Sequence, residues 1–207
     1  MGNKKISGNI RIANINDSYR CREICKNAFP YNIKWQDING YSKRWWDYVL
    51  ETDTTDVGVF VSEDQILGLA VLLVKEKEFL SDMSIMHMRG KEKFKIIFIK
   101  PRVLLHELNR KRIFKKAYKS FDKNKNIKRI GKRTWVELTA VSPVARRKGI
   151  GSSLRKWCEN RTSALGFEYI ESNIEPDNIA NRSLVEKYGY IHSNQTIAGC
   201  TYSKKLE

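Results

Sequence analysis

The chain has 207 residues, of which 41% are hydrophobic, and a formal net charge of +16. That length suits one well-cored domain carrying an insertion. The longest apolar run, 66–74, is far too short to span a bilayer. The four cysteines (Cys21, Cys25, Cys158 and Cys200) fit neither a zinc pattern nor a CxxC redox motif, so no metal site is expected.

The basic excess favours an anionic partner, such as nucleotide phosphate, nucleic acid or an acidic membrane surface, or is a solvated basic face. The N-terminus has no secretory apolar region, and Ile6 stands where a myristoylation signal wants Ser or Thr. The expected compartment is a reducing cytoplasm, with a membrane-peripheral location as the alternative.

Residues 9–15 (NIRIANI) alternate as a strand, and Asn16 or Asp17 can cap a helix over 18–28 that Pro30 ends. An aromatic stretch follows, with Phe29, Tyr31, Trp35, Tyr41, Trp45, Trp46 and Tyr48. Trp45, Trp46 and Val49 fit one face of a helix over 42–51, and core packing is the ordinary use of such rings. Strands are expected over 57–62 and 65–74, joined by a tight turn at Glu63-Asp64. The second is apolar on both faces, as a central strand covered by helices would be.

Residues 75–133 break this pattern. They hold 20 Lys/Arg against 6 Asp/Glu, a net of +14 and nearly all of the excess charge. Within them 96–99 is apolar, 102–121 has helical spacing with basic residues between the apolar ones, and 123–133 reads as a basic loop. Such a helix can pack on its own domain, lie on an anionic membrane or close over a phosphorylated substrate.

A strand over 134–141 (TWVELTAV) leads into Ser142-Pro143 and then Arg146-Arg147-Lys148-Gly149-Ile150-Gly151, with a helix beginning at Gly151. Glycines permit a tight turn and close approach of a ligand to backbone. A helix start offers unpaired N–H groups and a positive dipole end to phosphate, and Arg146, Arg147 and Lys148 add charge. Neither G-x-G-x-x-G with its downstream acid nor a Walker loop is present. A strand over 167–174, a turn at 176–178, a helix over 179–187 and strands over 190–192 and 197–204 complete the chain.

Val141-Ser142-Pro143 with Arg146-x-x-Gly149-x-Gly151 resembles the acetyl-CoA loop of the GNAT acetyltransferase superfamily. Asn178, then Glu186-Lys187-Tyr188-Gly189-Tyr190, resembles a second motif of that superfamily. The likeness is strongest over 134–202, weaker over 9–74, and does not cover the middle of the chain. It implies a single α/β domain over 1–207: a mixed, mostly antiparallel sheet flanked by helices, with 75–133 as a basic helical insertion between the third and fourth strands.

The resemblance further implies acetyl-CoA as co-substrate and a primary amine as acceptor. Ala140 and Val141 would pair with the pantetheine amides. Arg146, Arg147, Lys148, Gly149, Ile150, Gly151 and Ser152 would cradle the pyrophosphate, and Asn178 would contact the cofactor. The aromatic stretch falls where the family builds one wall of the acceptor site. Glu137, expected to share strand parity with Thr139 and Val141, is the first candidate for general base, and Glu171 the second. Asn173 stands where several relatives carry a glutamate. Val185 stands where the family often places a tyrosine acid, with Tyr188 one turn on.

The basic segment points to an anionic small-molecule acceptor such as a nucleotide-linked amino sugar, with a protein amine next. The alternative is a non-catalytic acyl-CoA-binding module whose 75–133 segment binds membrane or nucleic acid.

Overall fold

The computed structural model describes residues 6–37, 40–85, 132–175, 178–196 and 199–207. Seven strands form one sheet: β1 (Asn9–Ile12), β2 (Thr55–Ser62), β3 (Gln65–Leu73), β4 (Arg133–Val141), β5 (Tyr169–Ile174), β6 (Ile191–Thr196) and β7 (Gly199–Lys205). Their order is β1-β2-β3-β4-β5-β7-β6, and every neighbouring pair is antiparallel except β4–β5. Five helices accompany them among the described residues: α1 (Ser18–Ala28), α2 (Tyr41–Glu51), α3 (Glu76–Ile85), α4 (Ile150–Ala164) and α5 (Ile179–Lys187). The mixed, mostly antiparallel α/β fold expected from the sequence is the one that forms.

β3 is the spine, and its continuous apolar run has the expected cause. Ile66, Leu69, Val71 and Leu73 enter one core, while Ala70 and Leu72 enter the other. On the first face, α1 inserts Cys21, Ile24 and Cys25, and α2 inserts Trp45, Trp46 and Val49, both at helical spacing. The indoles of Trp45 and Trp46 meet edge to face at 4.9 Å, and Trp35 meets Trp45 likewise at 5.0 Å. On the second face, α4 inserts Ile150, Leu154 and Cys158, one turn apart. The start of α4 lies so close to β3 that a Cβ on Gly68 would fall 2.8 Å from the Ile150 side chain.

The entry to α1 is held by reciprocal bonds. The Asn14 side chain accepts from the Asn16 amide, and the Asp17 carboxylate accepts from the Asn14 amide at 2.9 Å. Arg11 forks onto the same carboxylate at 2.7 and 2.8 Å. The Arg11 hydrogen bond holds the Asp17 carboxyl below its ordinary value of 3.8. Asp17→Ala is therefore expected to cost about 1–2 kcal/mol near neutral pH, measured by urea unfolding. A folded-state value below the unfolded one means that this stability is present above the ordinary carboxylate range. It is lost as pH falls through the folded value, so the gap between wild type and variant closes in acid.

Some boundaries differ from expectation. β1 ends at Ile12, because Asn14 turns the chain into its cap. α3 opens the segment between β3 and β4, where no helix was expected. It is anchored by buried Phe79 and by the Tyr48 hydroxyl donating to Asp82 at 2.5 Å. The expected apolar stretch 96–99, the helix 102–121 and the loop through 131 lie outside the described residues. No helix among the described residues is long and apolar enough to cross a membrane.

Candidate active site

β4 and β5 run together only briefly. Arg133–Val136 pair with Tyr169–Ser172, and the pairing recorded between the two strands ends there. Beyond it β4 stays with β3, and β5 stays with β7. Two parallel strands that part in this way leave a cleft between their C-terminal ends. A cavity of about 480 Å³ occupies it. β4 contributes Glu137, Leu138 and Thr139, β5 and its end contribute Asn173, Ile174 and Glu175, and the α5 entry contributes Asn178 and Asn181. The loop after α1 closes the remaining side with Phe29, Tyr31, Asn32, Lys34 and Trp35.

The fork begins at a β-bulge. Val71 pairs with Leu138 and Leu72 with Val136, so Glu137 is the extra residue of β4. The bulge shifts the phase of the strand. Trp135, Leu138 and Ala140 pack on the α1–α2 side, whereas Val136 and Val141 pack on the α4 side. Glu137 reaches Lys34 of the loop after α1, with Nζ to Oε1 at 3.2 Å. Its expected parity with Val141 is therefore corrected: strict alternation fails across a bulge, and Glu137 faces the same side as Leu138. The carboxylate still opens into the cavity.

Lys34 was not foreseen from the sequence. Its ammonium lies 4.1 Å from the centroid of the Trp45 ring and 4.9 Å from that of Trp35. A lysine directly before a tryptophan in an aromatic stretch was the available signal. Burial, and next the Glu137 charge, push the neighbouring Tyr41 phenol up, so it stays protonated.

The basic loop follows β4. The Ser142 amide still donates to Leu67 of β3 at 2.8 Å. A single 3-10 turn, Pro143–Ala145, then reverses the chain. Arg147 and Gly149 take positive φ, +61° and +88°. Gly149 is the N-cap of α4 and supplies no capping side chain to the first-turn amides of Ile150, Gly151 and Ser152. The helix thus starts one residue before its expected position.

Arg146 is exposed but folds back over the loop. Its guanidinium donates to the Ala28 carbonyl at 3.2 Å, tying the loop to the end of α1 beside the cavity. A Cβ on Gly151 would meet only Leu184 of α5, at 4.0 Å. The protein itself does not need a glycine there.

The remaining candidates divide. Asn178 caps α5, accepting from the Asn181 amide at 3.2 Å, and lines the cavity. Ala140 is buried against β3, and it and Val141 stand on the part of β4 beyond the recorded β5 pairing. Glu171 is fully buried in the joined half of the sheet, ion-paired to Arg133 at 3.1 Å, and does not line the cavity. Val185 is buried in the second core, with Tyr188 packed against it. The tyrosine that does line the cavity is Tyr31.

A parallel pair that splays at a bulge, followed by a glycine-capped helix, is a distinctive arrangement, and the comparisons agree with it. Residues 114–190 match the model of the acetyltransferase (GNAT) family. Over that segment the chain is similar to the GNAT family. An N-acetyltransferase from Staphylococcus aureus Mu50 superposes with a TM-score of 0.60 at 18% identity, over 97% of this chain and 99% of that one. The PaiA N-acetyltransferase of Thermoplasma acidophilum, in complex with coenzyme A, gives 0.57 at 12% identity, over 97% and 100%. The ribosomal-protein-S18-alanine N-acetyltransferase of Escherichia coli gives 0.57 at 9% identity, over 97% and 95%. At these identities the likeness is one of GNAT fold. No sequence relative among curated proteins matches significantly.

Proposed function

We propose that this protein transfers an acetyl group from acetyl-CoA to a primary amine, with Glu137 as general base. The observation that carries the reading is the β4–β5 fork, which opens at the bulge residue Glu137 on the strand that leads through the basic loop into α4, whose start no side chain caps. Backbone of Ala140 and Val141 on the parted edge would take the pantetheine amides as a further strand would. The turn from Arg146 to Ser152, with its cationic side chains and first-turn amides, would receive the pyrophosphate. Asn178 would contact the cofactor from the α5 side.

Acetyl-CoA supplies a thioester carbonyl as electrophile. An amine in the cavity must lose a proton before it attacks, and the Glu137 carboxylate on the cavity wall would accept it, directly or through one water. The buried, ion-paired Glu171 is the weaker candidate. Val185 offers no proton, so the departing thiolate takes one from the attacking nitrogen or from solvent.

Asn32, Asn173, Asn178 and Asn181 bring carboxamides to the cavity wall beside Glu175. They suit a polar small acceptor rich in hydrogen-bonding groups. The basic 75–133 segment favours one that also carries phosphate, of which a nucleotide-linked amino sugar is the example. The fold does not itself choose the acceptor, since the S18-alanine enzyme shares it.

A thiol-release assay tests the proposal. All four cysteines are buried, and burial pushes the Cys21 and Cys158 thiols up to about 12, so the protein's own thiols add little background. Release of CoA thiol with one amine class among amino sugars, polyamines, aminoglycosides and peptides is the expected result. Binding of acetyl-CoA without turnover on any class would favour a non-catalytic acyl-CoA-binding module. Absence of binding would overturn the reading.

A further inference from the structure

An amine already stands at the proposed base. The Lys34 ammonium lies 3.2 Å from the Glu137 carboxylate, and both residues line the cavity. Its backbone is pinned in the short turn Ile33–Trp35, where the Lys34 amide donates to the Asn32 side chain at 3.0 Å. The faces of Trp35 and Trp45 hold the ammonium from the other side. The side chain is three-quarters shielded from solvent. An attacking amine must come within hydrogen-bond reach of the base, and Lys34 Nζ already stands there.

We infer that Lys34 is a self-acetylation site: the protein transfers one acetyl group from acetyl-CoA to its own Lys34 Nζ. This rests on the reading of the cavity as an acetyltransferase site. Glu137 accepts one proton from the ammonium and later returns it to solvent. The freed lone pair forms an N–C bond at the thioester carbonyl. The C–S bond breaks, and the departing CoA thiolate takes the second proton from nitrogen. The products are Nζ-acetyl-Lys34, CoA thiol and one released proton. The acetylated side chain is neutral, so both its ion pair with Glu137 and its cation–π contacts are lost.

The test is peptide mass mapping of the purified full chain incubated with acetyl-CoA, beside an assay with external amines. Lys34 is expected to acquire one acetyl group about ten-fold faster than the exposed Lys156, at a first-order rate independent of protein concentration. Lys34→Arg removes the modified peptide, and Glu137→Gln slows Lys34 to the rate of Lys156. Acetyl phosphate, a chemical donor without the CoA handle, provides a check that does not depend on how the variants fold. With it, shielded Lys34 is expected to lag behind Lys156.

If external amines turn over while Lys34 stays unmodified, the inference fails and the enzyme assignment stands. If Lys34 is modified no faster than Lys156 with acetyl-CoA, the labelling is chemical and the inference fails. If neither Lys34 nor any external amine is acetylated, both fail together.

Discussion

Replacing Glu137 with glutamine is expected to lower kcat by about 10²–10³-fold while leaving the affinity for acetyl-CoA unchanged. Glutamine has the same shape but cannot accept the proton that the attacking amine must lose. The cofactor is expected to be held elsewhere, by β4 backbone and the loop before α4, so its dissociation constant should not move. Stability should change little. The Lys34–Glu137 pair is partly exposed on both partners, and such pairs contribute about 0–1 kcal/mol. Steady-state rates, calorimetric titration with CoA and a urea melt together separate the roles. A purely structural Glu137 would lower stability and leave the rate nearly intact. An unchanged rate would move the base to Glu175, another carboxylate on the cavity wall.

Gly151→Asp should separate folding from binding in opposite directions. Gly151 is the second residue of α4, its φ is not left-handed, and an added Cβ meets only Leu184 at van der Waals distance. An aspartate in a first helical turn complements the dipole and should stabilise the fold by about 0.3–1 kcal/mol. The same carboxylate would stand where the pyrophosphate is proposed to bind. It should raise the dissociation constant for CoA by about 100-fold, or close to 3 kcal/mol. Thermal unfolding of the free protein and titration with CoA test the two halves. A variant that is more stable and still binds CoA normally would place the pyrophosphate elsewhere. Loss of both stability and binding would show that the glycine serves the fold.

Much of this architecture was readable in the chain itself. Helices at 18–28 and 179–187 were legible because local spacing, caps and breakers determine them, and the observed spans agree. β3 read as central because a strand buried on both faces has no polar phase. The turn Arg146–Gly151 read as an anion cradle because glycine and charge act through backbone geometry that needs no distant partner.

The cavity wall proposed as catalytic was less legible, for a physical reason. Strand parity placed Glu137 with Val141, but a bulge is a property of two strands in register, and one strand does not display it. Glu171 and Glu137 were nearly equal as residues. They differ because β5 stays joined to β4 at Glu171, which leaves that carboxylate buried against Arg133. In the sequence Lys34 carried only the signal of a lysine before a tryptophan, because its partner Glu137 lies 103 positions away. The sequence by itself determined many of the elements and the glycine-bearing basic turn before α4, which depend on short-range spacing. Only the tertiary structure decided which carboxylate faces the cavity and which amine meets it, because both depend on where β4 and β5 part.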